Sequence, residues 1–415
     1  MPKTKAPNNG QTVSGRIMWR VKIRGTRPKR VHFAVDGRVK TRKARPRRRV
    51  TATIDTTKLS NGRHTLTAIA YRSGRRRPEK TKVKVRVANP ANGPGSVYWG
   101  AHIGSHLTGT EAPWDMNAAA QFEEMAGRQL SILHFYSPFS NCSSLPCSYY
   151  DFPSSLMETV RQHGSIPMLS WASNSLPGGL NQPDLQLSDV IAGNYDSYIR
   201  SFAERAKSWG HPFFLRFNFE MNGDWFAWSE SVNGNGPGQS VAAWRHVHDI
   251  FTSVGATNAT WVWCPNADPN NTLQDLGSLY PGDGYVDWTC MDGYNWGMNP
   301  SRPGGWETFA QVFNASYHRI ADTIAPSKPM MIAETGSTEY GGSKADWTRD
   351  ALTMAPSYPK IRALVWYENY ADGMDWPIET SQGSTGAFAS GIQNSAYTTN
   401  SFGDLGDGPI PPPGA

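Results

Sequence analysis

The chain has 415 residues and lacks the features of several common protein classes. No apolar run approaches the roughly 20 residues that a membrane-spanning helix needs, so we expect no membrane span. The opening residues, MPKTKAPNNG, contain no apolar stretch, so we expect no signal peptide in this chain. No Gly-rich loop would hold a phosphate, and no Gly-x-Ser-x-Gly turn is present. These absences argue against a membrane protein, a P-loop protein and an α/β-hydrolase.

Cysteine is scarce, with four residues in all, and no Cys/His cluster has the spacing of a zinc site. We therefore expect no metal and no cofactor. Cys142 and Cys147 lie in the polar segment SNCSSLPCSYY, which favours a local disulfide over two free thiols. A disulfide indicates an oxidising compartment, so we expect a secreted, extracellular protein. Cys264 and Cys290 each end an apolar run, and the sequence leaves open whether they are bonded.

Acidic residues are nearly absent from the first 90 residues, which hold 3 of the 34 Asp/Glu but 27 of the 41 Lys/Arg. This asymmetry indicates two modules with different surfaces. The basic runs RKARPRRR and SGRRRPEK have two interpretations: a solvated surface that aids solubility, or attachment to an anionic surface such as an acidic cell-wall polymer. No nucleic-acid recognition fold is evident, so we expect no nucleic-acid partner.

The basic part shows the period-two alternation of β-strands, with turn signals at Asp36-Gly37, Asn61-Gly62 and Ser73-Gly74. This pattern predicts a small antiparallel β-sandwich. The segments AVDG and LSNGRHTLTAIA resemble the immunoglobulin-like modules that accompany secreted carbohydrate-active enzymes. Composition then divides the whole chain into a disordered leader (1–12), a basic immunoglobulin-like sandwich (13–89), a linker (90–96), a barrel (97–393) and a partly disordered Pro/Gly-rich tail (394–415).

The acidic part contains eight short apolar runs that alternate with amphipathic stretches, which predicts parallel strands and a (β/α)8 TIM barrel. The runs are SVYWGAHIG, LSILHFYSPF, SIPMLSWAS, PFFLRFNFE, ATWVWCPNA, YVDWTCMDGYNW, KPMMIAETGS and IRALVWYEN. Nearly all of the 16 tryptophans lie here. Such a composition suits a sugar-binding cleft, although tryptophan can equally fill a large core.

Active sites of such barrels lie at the C-terminal ends of the strands. Glu220 and Glu334 each end an apolar run there, and glycoside hydrolysis needs two carboxylates that flank the scissile bond. Burial raises the pKa of one carboxyl group, and a nearby cation such as Arg216 would keep the other ionised. Alternatively, one glutamate only forms a structural pair with Arg216.

Other strand-end residues could stack on sugar rings or hydrogen-bond to sugar hydroxyls. The candidates for substrate binding are Trp171, Asn222, Trp228, Trp263, Asn266 and Trp296. The same strand ends carry further polar residues without an assigned role, including His102, His106, Tyr136, Asp292 and Tyr367.

The segments RFNFEMNGDWFAW and MMIAETGS resemble glycoside hydrolase family 26, a family of retaining (β/α)8 glycosidases. The resemblance implies that Glu220 is the acid/base and Glu334 the nucleophile. It also implies that Tyr294 positions the nucleophile and that Trp366 forms the floor of the subsite for the attacked sugar. Two further substrate-binding residues are implied, His134 and Trp225.

The resemblance departs at Phe219, where the family usually has a histidine that reaches the sugar next to the cleavage point. Most members are β-1,4-mannanases, and others cut mixed-linkage β-1,3-1,4-glucan or β-1,3-xylan. We therefore expect a monomeric, retaining endo-β-glycanase that acts on a plant or microbial β-linked polysaccharide by double displacement. The first expectation is β-1,4-mannan, with mixed-linkage glucan and β-1,3-xylan as alternatives. A non-enzymatic alternative is an inactive polysaccharide-binding barrel.

Overall fold

The computed structural model describes residues 2–13, 16–56, 59, 62–74, 77–87, 96–268, 270, 272–299, 304–398 and 401–413. The chain forms two compact units, Met1–Asn92 and Gly93–Ala415, which we call the N-terminal unit and the barrel unit. The predicted linker, apart from its last residue, lies outside the described residues.

The described residues of the N-terminal unit form two β-sheets. The strands are β1 Pro2–Ala6, β2 Thr12–Val13, β3 Arg16–Ile23, β4 Arg30–Val35, β5 Arg38–Ala44, β6 Arg49–Asp55, β7 Gly62–Tyr71 and β8 Glu79–Val87. One sheet has the order β1-β3-β6, and the other has the order β2-β8-β7-β4-β5. Alternate residues bury a small core that includes Trp19, Phe33 and Leu66. The prediction of an all-β N-terminal module is confirmed.

The predicted disordered leader is wrong for the segment Pro2–Ala6, which forms strand β1. This strand pairs antiparallel with β3, with Pro2 opposite Ile23 and Thr4 opposite Val21. The leader has few apolar residues, which suggests disorder when it is considered alone. Its backbone groups nevertheless find partners along the otherwise open edge of β3, and such pairing is invisible in a local composition.

The barrel unit contains eight parallel strands that coincide with the eight predicted apolar runs. They are β9 Val97–Ile103, β10 Ile132–Asn141, β12 Ile166–Leu176, β13 Phe213–Phe217, β14 Ala259–Trp263, β15 Trp288–Asn295, β16 Met330–Ser337 and β17 Ile361–Glu368. Strand β9 pairs with both β10 and β17, which closes the barrel. Short strands outside it are β11 Ser148–Tyr149, β18 Tyr370–Ala371, β19 Met374–Asp375 and β20 Tyr397–Thr398. The predicted TIM barrel is confirmed.

Helices follow most of the barrel strands. They are α1 Met116–Ala126, α2 Ser154–His163, α3 Leu187–Ile191, α4 Asp196–Trp209, α5 Gln239–Val254, α6 Phe309–Arg319, α7 Lys344–Met354 and α8 Gln382–Ile392. In the described part of the β14–β15 connection there is a 3-10 turn, Leu276–Leu279. Thr308 and Gln311 form a reciprocal capping box that fixes the start of α6. Within the described residues, no helix is long and apolar enough to cross a membrane.

Both pairs of cysteines are disulfide-bonded. The predicted bond Cys142–Cys147 closes the loop after β10, and its Cα atoms lie 4.3 Å apart. Cys264 and Cys290, whose state the sequence leaves open, also form a disulfide. This second bond joins the end of β14 to its neighbour β15, so it ties two adjacent strands together beside the C-terminal face of the barrel.

The tail, predicted to be partly disordered, is ordered over residues 394–398 and 401–413. Strand β20 extends the sheet beside β9, and Ile410 is only 2% exposed. The backbone NH of Ile410 donates to Thr260 Oγ1 at 2.8 Å, and its carbonyl accepts from Trp288 Nε1 at 2.8 Å. The tail therefore satisfies buried polar groups of the barrel, and its prolines reduce the conformational entropy lost on ordering.

We expect Ile410→Ala to lower the free energy of unfolding of the barrel unit by about 2 kcal/mol, because it removes a buried side chain. Urea denaturation followed by tryptophan fluorescence measures this, since nearly all tryptophans lie in the barrel unit. The matched control is Asp407→Ala, which changes an exposed residue of the same segment. Equal midpoints for the two variants would show that the tail does not stabilise the barrel.

Candidate active site

The end of strand β13 turns sharply before the first glutamate. Asn218 and Glu220 both adopt left-handed backbone conformations, with φ of 41° and 51°. Each such non-glycine residue costs about 1 kcal/mol or more. The Asn218 side chain points away from the site and accepts a hydrogen bond from the backbone NH of Ser173 at 2.8 Å. The turn breaks the alternation of the strand, so the consecutive residues Phe219 and Glu220 both contact the same cluster of polar groups.

Glu220 is 7% exposed and is held by neutral donors. Asn266 Nδ2 donates to its Oε1 at 2.7 Å, and Trp225 Nε1 donates to its Oε2 at 2.6 Å. Burial and the negative charge of Glu334 raise the pKa of Glu220 to about 7, against the opposing charge of Arg216 and these two hydrogen bonds. Glu220 therefore keeps its proton in weakly acidic solution, as a general acid requires.

Glu334 is 6% exposed but lies among donors that favour its ionised form. Oε1 accepts from Arg216 Nη1 at 2.5 Å and from Tyr136 OH at 2.5 Å, and Oε2 accepts from Tyr294 OH at 2.7 Å. Burial by itself raises the pKa of Glu334, but the charge of Arg216 and the three hydrogen bonds outweigh it and lower the pKa. The pKa of Glu220 is thus raised and that of Glu334 is lowered, so the site favours a protonated Glu220 and an ionised Glu334.

The fully buried Arg216 connects the two sides of the site. Its guanidinium donates to Asp292 and to Glu334, and more weakly to Ser170 Oγ at 3.2 Å. The ring of Phe219 lies over the guanidinium, with Cζ 4.3 Å from the ring centroid. Burial and the nearby carboxylates raise the pKa of Asp292, against the charge of Arg216. Arg216 therefore pairs directly with Glu334 and not with Glu220.

Two groups of oxygen and nitrogen ligands among the described residues could hold a cation. In the first, one oxygen from each of Glu220, Asp292 and Glu334 lies within 4.8 Å of the others. Here the guanidinium of Arg216 supplies the positive charge that a metal would bring. The second group consists of His106, Glu368 and Glu379. Hydrogen bonds and charges of the two glutamates raise the pKa of His106 to about 9, against the effect of burial, so protonated His106 serves as the cation there.

Three tryptophans predicted to bind substrate face away from the barrel interior: Trp171, Trp263 and Trp366. Each is at most 1% exposed. Trp171 stacks on Phe202 of α4 with ring centroids 4.1 Å apart, whereas the preceding residue, Ser170, points inward to Arg216. Successive strand residues point to opposite faces, so residues next to inward-facing ones pack against the helices. The prediction of sugar contact is therefore wrong for these three residues, including Trp366 as the floor of a subsite.

Asn222 and Trp228 are also buried, at 2% and 3% exposed, and support other residues of the site. The Asn222 side chain accepts from the backbone NH of Asn266 at 2.8 Å and donates to its carbonyl at 2.9 Å. Trp228 Nε1 donates to the carbonyl of Phe219 at 2.7 Å. The structure therefore corrects their predicted role from sugar contact to support.

His134, predicted to line a subsite, is fully buried within the barrel. Its Nε2 lies 2.7 Å from Ser170 Oγ, which in turn accepts from Arg216. Burial and the charge of Arg216 lower the pKa of His134 well below its ordinary value, so the ring is neutral. His134 acts beneath the site and has no exposed surface for a sugar, which corrects the prediction.

Four predicted residues remain partly exposed at the mouth of the barrel: Trp225, Asn266, Tyr294 and Trp296. Trp225 and Asn266 hold Glu220, whereas Tyr294 holds Glu334 and packs beside Trp296 with ring centroids 5.9 Å apart. These residues offer aromatic faces and amide groups next to both carboxyl groups.

The sequence gives no role to Tyr136 and does not single out Trp376. Tyr136 donates directly to Glu334, and its position two residues after inward-facing His134 on β10 could have indicated this. Trp376 packs on Tyr294 with ring centroids 4.7 Å apart. It lies in the loop after β17, outside every predicted strand, so no local pattern identifies it.

Comparison with known proteins places this geometry in a family. The family model described as Glycosyl hydrolase family 26 matches residues 168–341. Endoglucanase H of Acetivibrio thermocellus is 37% identical over 282 residues, which is 66% of this chain and 29% of that protein. Mannan endo-1,4-beta-mannosidase A and B of Caldalkalibacillus mannanilyticus is 28% identical over 158 residues, which is 37% of this chain and 27% of that protein. The chain thus spans less than a third of the length of these relatives.

Solved structures share the fold. An endo-beta-1,4-mannanase double mutant of Cellulomonas fimi aligns with a TM-score of 0.55 at 18% identity, covering 74% of this chain and 72% of that chain. The β-mannanase BoMan26A of Bacteroides ovatus aligns with a TM-score of 0.52 at 16% identity, covering 75% of this chain and 92% of that chain. The family match spans Glu220 and Glu334, so the barrel unit contains a glycosyl hydrolase family 26 domain over residues 168–341.

Proposed function

We propose that the barrel unit is a retaining endo-β-glycanase in which Glu220 is the acid/base and Glu334 the nucleophile. The observation that carries this proposal is the opposite tuning of the two carboxyl groups: the pKa of Glu220 is raised to about 7 and that of Glu334 is lowered. A glycosidase that works by double displacement needs this pair of protonation states at the start of the reaction.

The first step breaks the glycosidic bond. A carboxylate oxygen of Glu334 forms a bond to the anomeric carbon, while the proton of Glu220 passes to the leaving sugar oxygen. In the second step Glu220, now ionised, takes a proton from a water molecule whose oxygen attacks the same carbon and releases Glu334. Arg216, Tyr136 and Tyr294 hold Glu334 in place through both steps.

The spacing of the carboxyl groups supports retention of configuration. Oxygens of Glu220 and Glu334 lie within 4.8 Å of each other. Retaining enzymes keep their carboxyl groups about 5 Å apart, whereas inverting enzymes need roughly 6.5–9.5 Å to admit a water molecule. Both carboxyl groups and their hydrogen-bond partners are present, which favours an enzyme over an inactive binding barrel.

For the substrate, we take β-1,4-mannan as the first candidate, because several similar proteins and structures carry mannanase names. Mixed-linkage β-glucan is the second candidate, and one observation favours it. The relative that is 37% identical is named an endoglucanase. Phe219 weakens the case for mannan, because its ring covers Arg216 and cannot hydrogen-bond to a sugar hydroxyl, but it does not select another sugar. Two similar proteins are named β-1,3-xylanases, so β-1,3-xylan belongs in the test.

We expect Glu220→Ala and Glu334→Ala each to lower hydrolysis about 1000-fold or more, because each removes a group that acts in bond cleavage. Reducing-sugar release is measured on mannan, glucomannan, lichenan, β-glucan and β-1,3-xylan. Glu204→Ala, at an exposed position of α4, is the matched control. Near-normal hydrolysis by both variants would overturn the proposal, as would an initial product of inverted configuration in NMR spectra.

The pH dependence of the rate should also reflect the protonation states of the two carboxyl groups. Activity needs protonated Glu220 and ionised Glu334, so kcat/KM should fall above pH ~7 as Glu220 loses its proton. Asn266→Ala removes a hydrogen bond that favours ionised Glu220, so its pKa and the alkaline limb should both move upward. Asn117→Ala, on the surface of α1, is the control. A downward shift in Asn266→Ala would contradict this assignment.

For the N-terminal unit, we propose an immunoglobulin-like module that attaches a secreted, monomeric enzyme to an anionic surface such as an acidic cell-wall polymer. The supporting observation is a row of exposed cations along β8: Lys80, Lys82, Lys84 and Arg86. Arg86 lies directly opposite Arg63 of β7. Like charges in cross-strand pairs destabilise a sheet, so folding alone does not favour this arrangement.

Reversing three charges on this face, with Lys82→Glu, Lys84→Glu and Arg86→Glu, should weaken retention on immobilised polygalacturonate about tenfold or more. Elution by salt measures it, since salt screens exposed charges. The matched control reverses three exposed charges of the other sheet, with Arg20→Glu, Lys22→Glu and Arg49→Glu. Equal elution of both variants would show that total charge and not this face governs attachment.

A further inference from the structure

We propose that Trp376 is a positioning residue: anchored by the loop after β17, it fixes the Tyr294 side chain against Glu334. The proposal rests on the proposed function, because it concerns the residue that holds the nucleophile. It gives a function to a loop that contributes no side chain to the cluster of Arg216, Glu220, Asp292 and Glu334.

Trp376 sits in a closely packed position. It is 1% exposed, and its ring lies 4.7 Å from that of Tyr294 and 4.9 Å from that of Trp296, measured between centroids. It also lies against the backbone of β16 at Gly336, where an added Cβ would come within 3.3 Å of the indole ring. Gly336 is two residues beyond Glu334, so Trp376 packs on the nucleophile's own strand as well as on Tyr294.

The loop that carries Trp376 is anchored through its backbone by a buried cation. The ammonium group of Lys344, on α7, donates to the carbonyl of Asp375, to that of Pro377 at 2.6 Å and to Thr380 Oγ1 at 3.0 Å. Lys344 has no exposed surface, and burial lowers its pKa to about 8 despite nearby carboxylates. Burying an ammonium group is costly, and here its hydrogen bonds fix the two residues that flank Trp376.

A second anchor joins the same loop to the barrel strands. The carboxylate of Glu368, at the end of β17, accepts from the backbone NH of Ile378 at 3.0 Å. Glu379 lies 2.9 Å from His106, which follows β9. The Trp376 carbonyl accepts from Trp366 Nε1 at 3.1 Å. The loop is thus held to α7, β17 and the segment after β9, so the indole ring of Trp376 has a fixed position.

Tyr294 connects the ring of Trp376 to Glu334. Its hydroxyl donates to Glu334 Oε2 at 2.7 Å, and this bond helps to lower the pKa of Glu334. The other titratable or charged groups that act on Glu334 come from several strands: His102, Tyr136, Arg216, Glu220, Asp292 and Tyr367. Trp376 has no titratable group, so it acts on the protonation of Glu334 through the groups on which it packs, including Tyr294 and the β16 backbone at Gly336. Of these two, Tyr294 is the one that donates a hydrogen bond to Glu334, and the double variant Trp376→Leu/Tyr294→Phe separates the two routes.

A side chain that merely fills space would stabilise the fold without altering the chemistry. If Trp376 is a positioning residue, replacing it should also change the catalytic rate. Trp376→Leu should lower kcat on the order of 10- to 100-fold, because misplaced reacting groups cost that much, while KM changes less. The acidic limb of the pH–rate profile should move upward, in the same direction as in Tyr294→Phe, because Glu334 loses the same hydrogen bond in both variants.

The decisive measurement is the double variant Trp376→Leu/Tyr294→Phe. If Trp376 acts through Tyr294, the double variant should be within about twofold of Tyr294→Phe alone, since coupled residues are not additive. The matched control is Trp347→Leu, which changes a buried tryptophan of α7 that packs on Trp366. It should lower the free energy of unfolding without moving the acidic limb.

Multiplied losses in the double variant would overturn the proposal, as would an unmoved acidic limb in Trp376→Leu. Should Trp376→Leu fail to fold, Lys344→Met releases the same loop from α7 and must show the same upward shift. Absence of hydrolysis by the wild-type protein on every glycan would contradict the proposed function instead, so the two failures are distinguishable.

Discussion

The guanidinium of Arg216 is the constraint on which the polar cluster of the barrel depends. It is one buried cation among three carboxyl groups, those of Glu220, Asp292 and Glu334, and it cannot neutralise all of them. Direct contact with Arg216 distinguishes the two glutamates, although it does not lower the pKa of Asp292, which also accepts from Arg216 but is fully buried beside the other two carboxyl groups. Glu334 accepts from Arg216 and has a lowered pKa, whereas Glu220 accepts only from neutral donors and has a raised one. Two chemically identical side chains thereby acquire opposite protonation states.

The backbone supplies the second constraint. A regular strand would direct Phe219 and Glu220 to opposite faces, and one of them would leave the site. The left-handed conformations of Asn218 and Glu220 prevent this. Their conformational cost is offset by contacts that exist only in this arrangement, such as those from Trp225 and Asn266 to Glu220. Two of the left-handed non-glycine residues among the described residues therefore lie at the proposed acid/base or two residues before it.

Sequence reasoning succeeded where the signal is local. The eight apolar runs predict the TIM barrel, and the glutamates that end two of these runs are predicted to lie together at one face of it. Both signals are local, because burial and periodicity are properties of neighbouring residues. The same reasoning was wrong for Trp171, Trp263 and Trp366, since tryptophan suits both a core and a sugar cleft. Which of these it joins depends on the face of the strand, and a one-residue error in register reverses that face.

Non-local partners explain why the order of two further segments and the role of Trp376 were missed. Strand β1 and the tail around Ile410 have the composition of disordered segments, yet each completes hydrogen bonds of residues far away in the chain. Trp376 is similar, because its position follows from Lys344 and Glu368, which belong to other elements. No composition of a short window contains this information, so only the folded chain reveals it.

Phe219 links the electrostatics of the site to the proposed choice of sugar. Its ring lies over the guanidinium of Arg216 and adds a cation–π contact of up to about 2 kcal/mol. A hydrogen-bonding side chain at this position would admit a more polar environment next to the ion pair of Arg216 and Glu334. The same ring presents no donor or acceptor to a substrate. Under the proposed function, a change at this position that suits one sugar also changes the field around Glu334, so specificity and catalysis would be linked there through a single side chain.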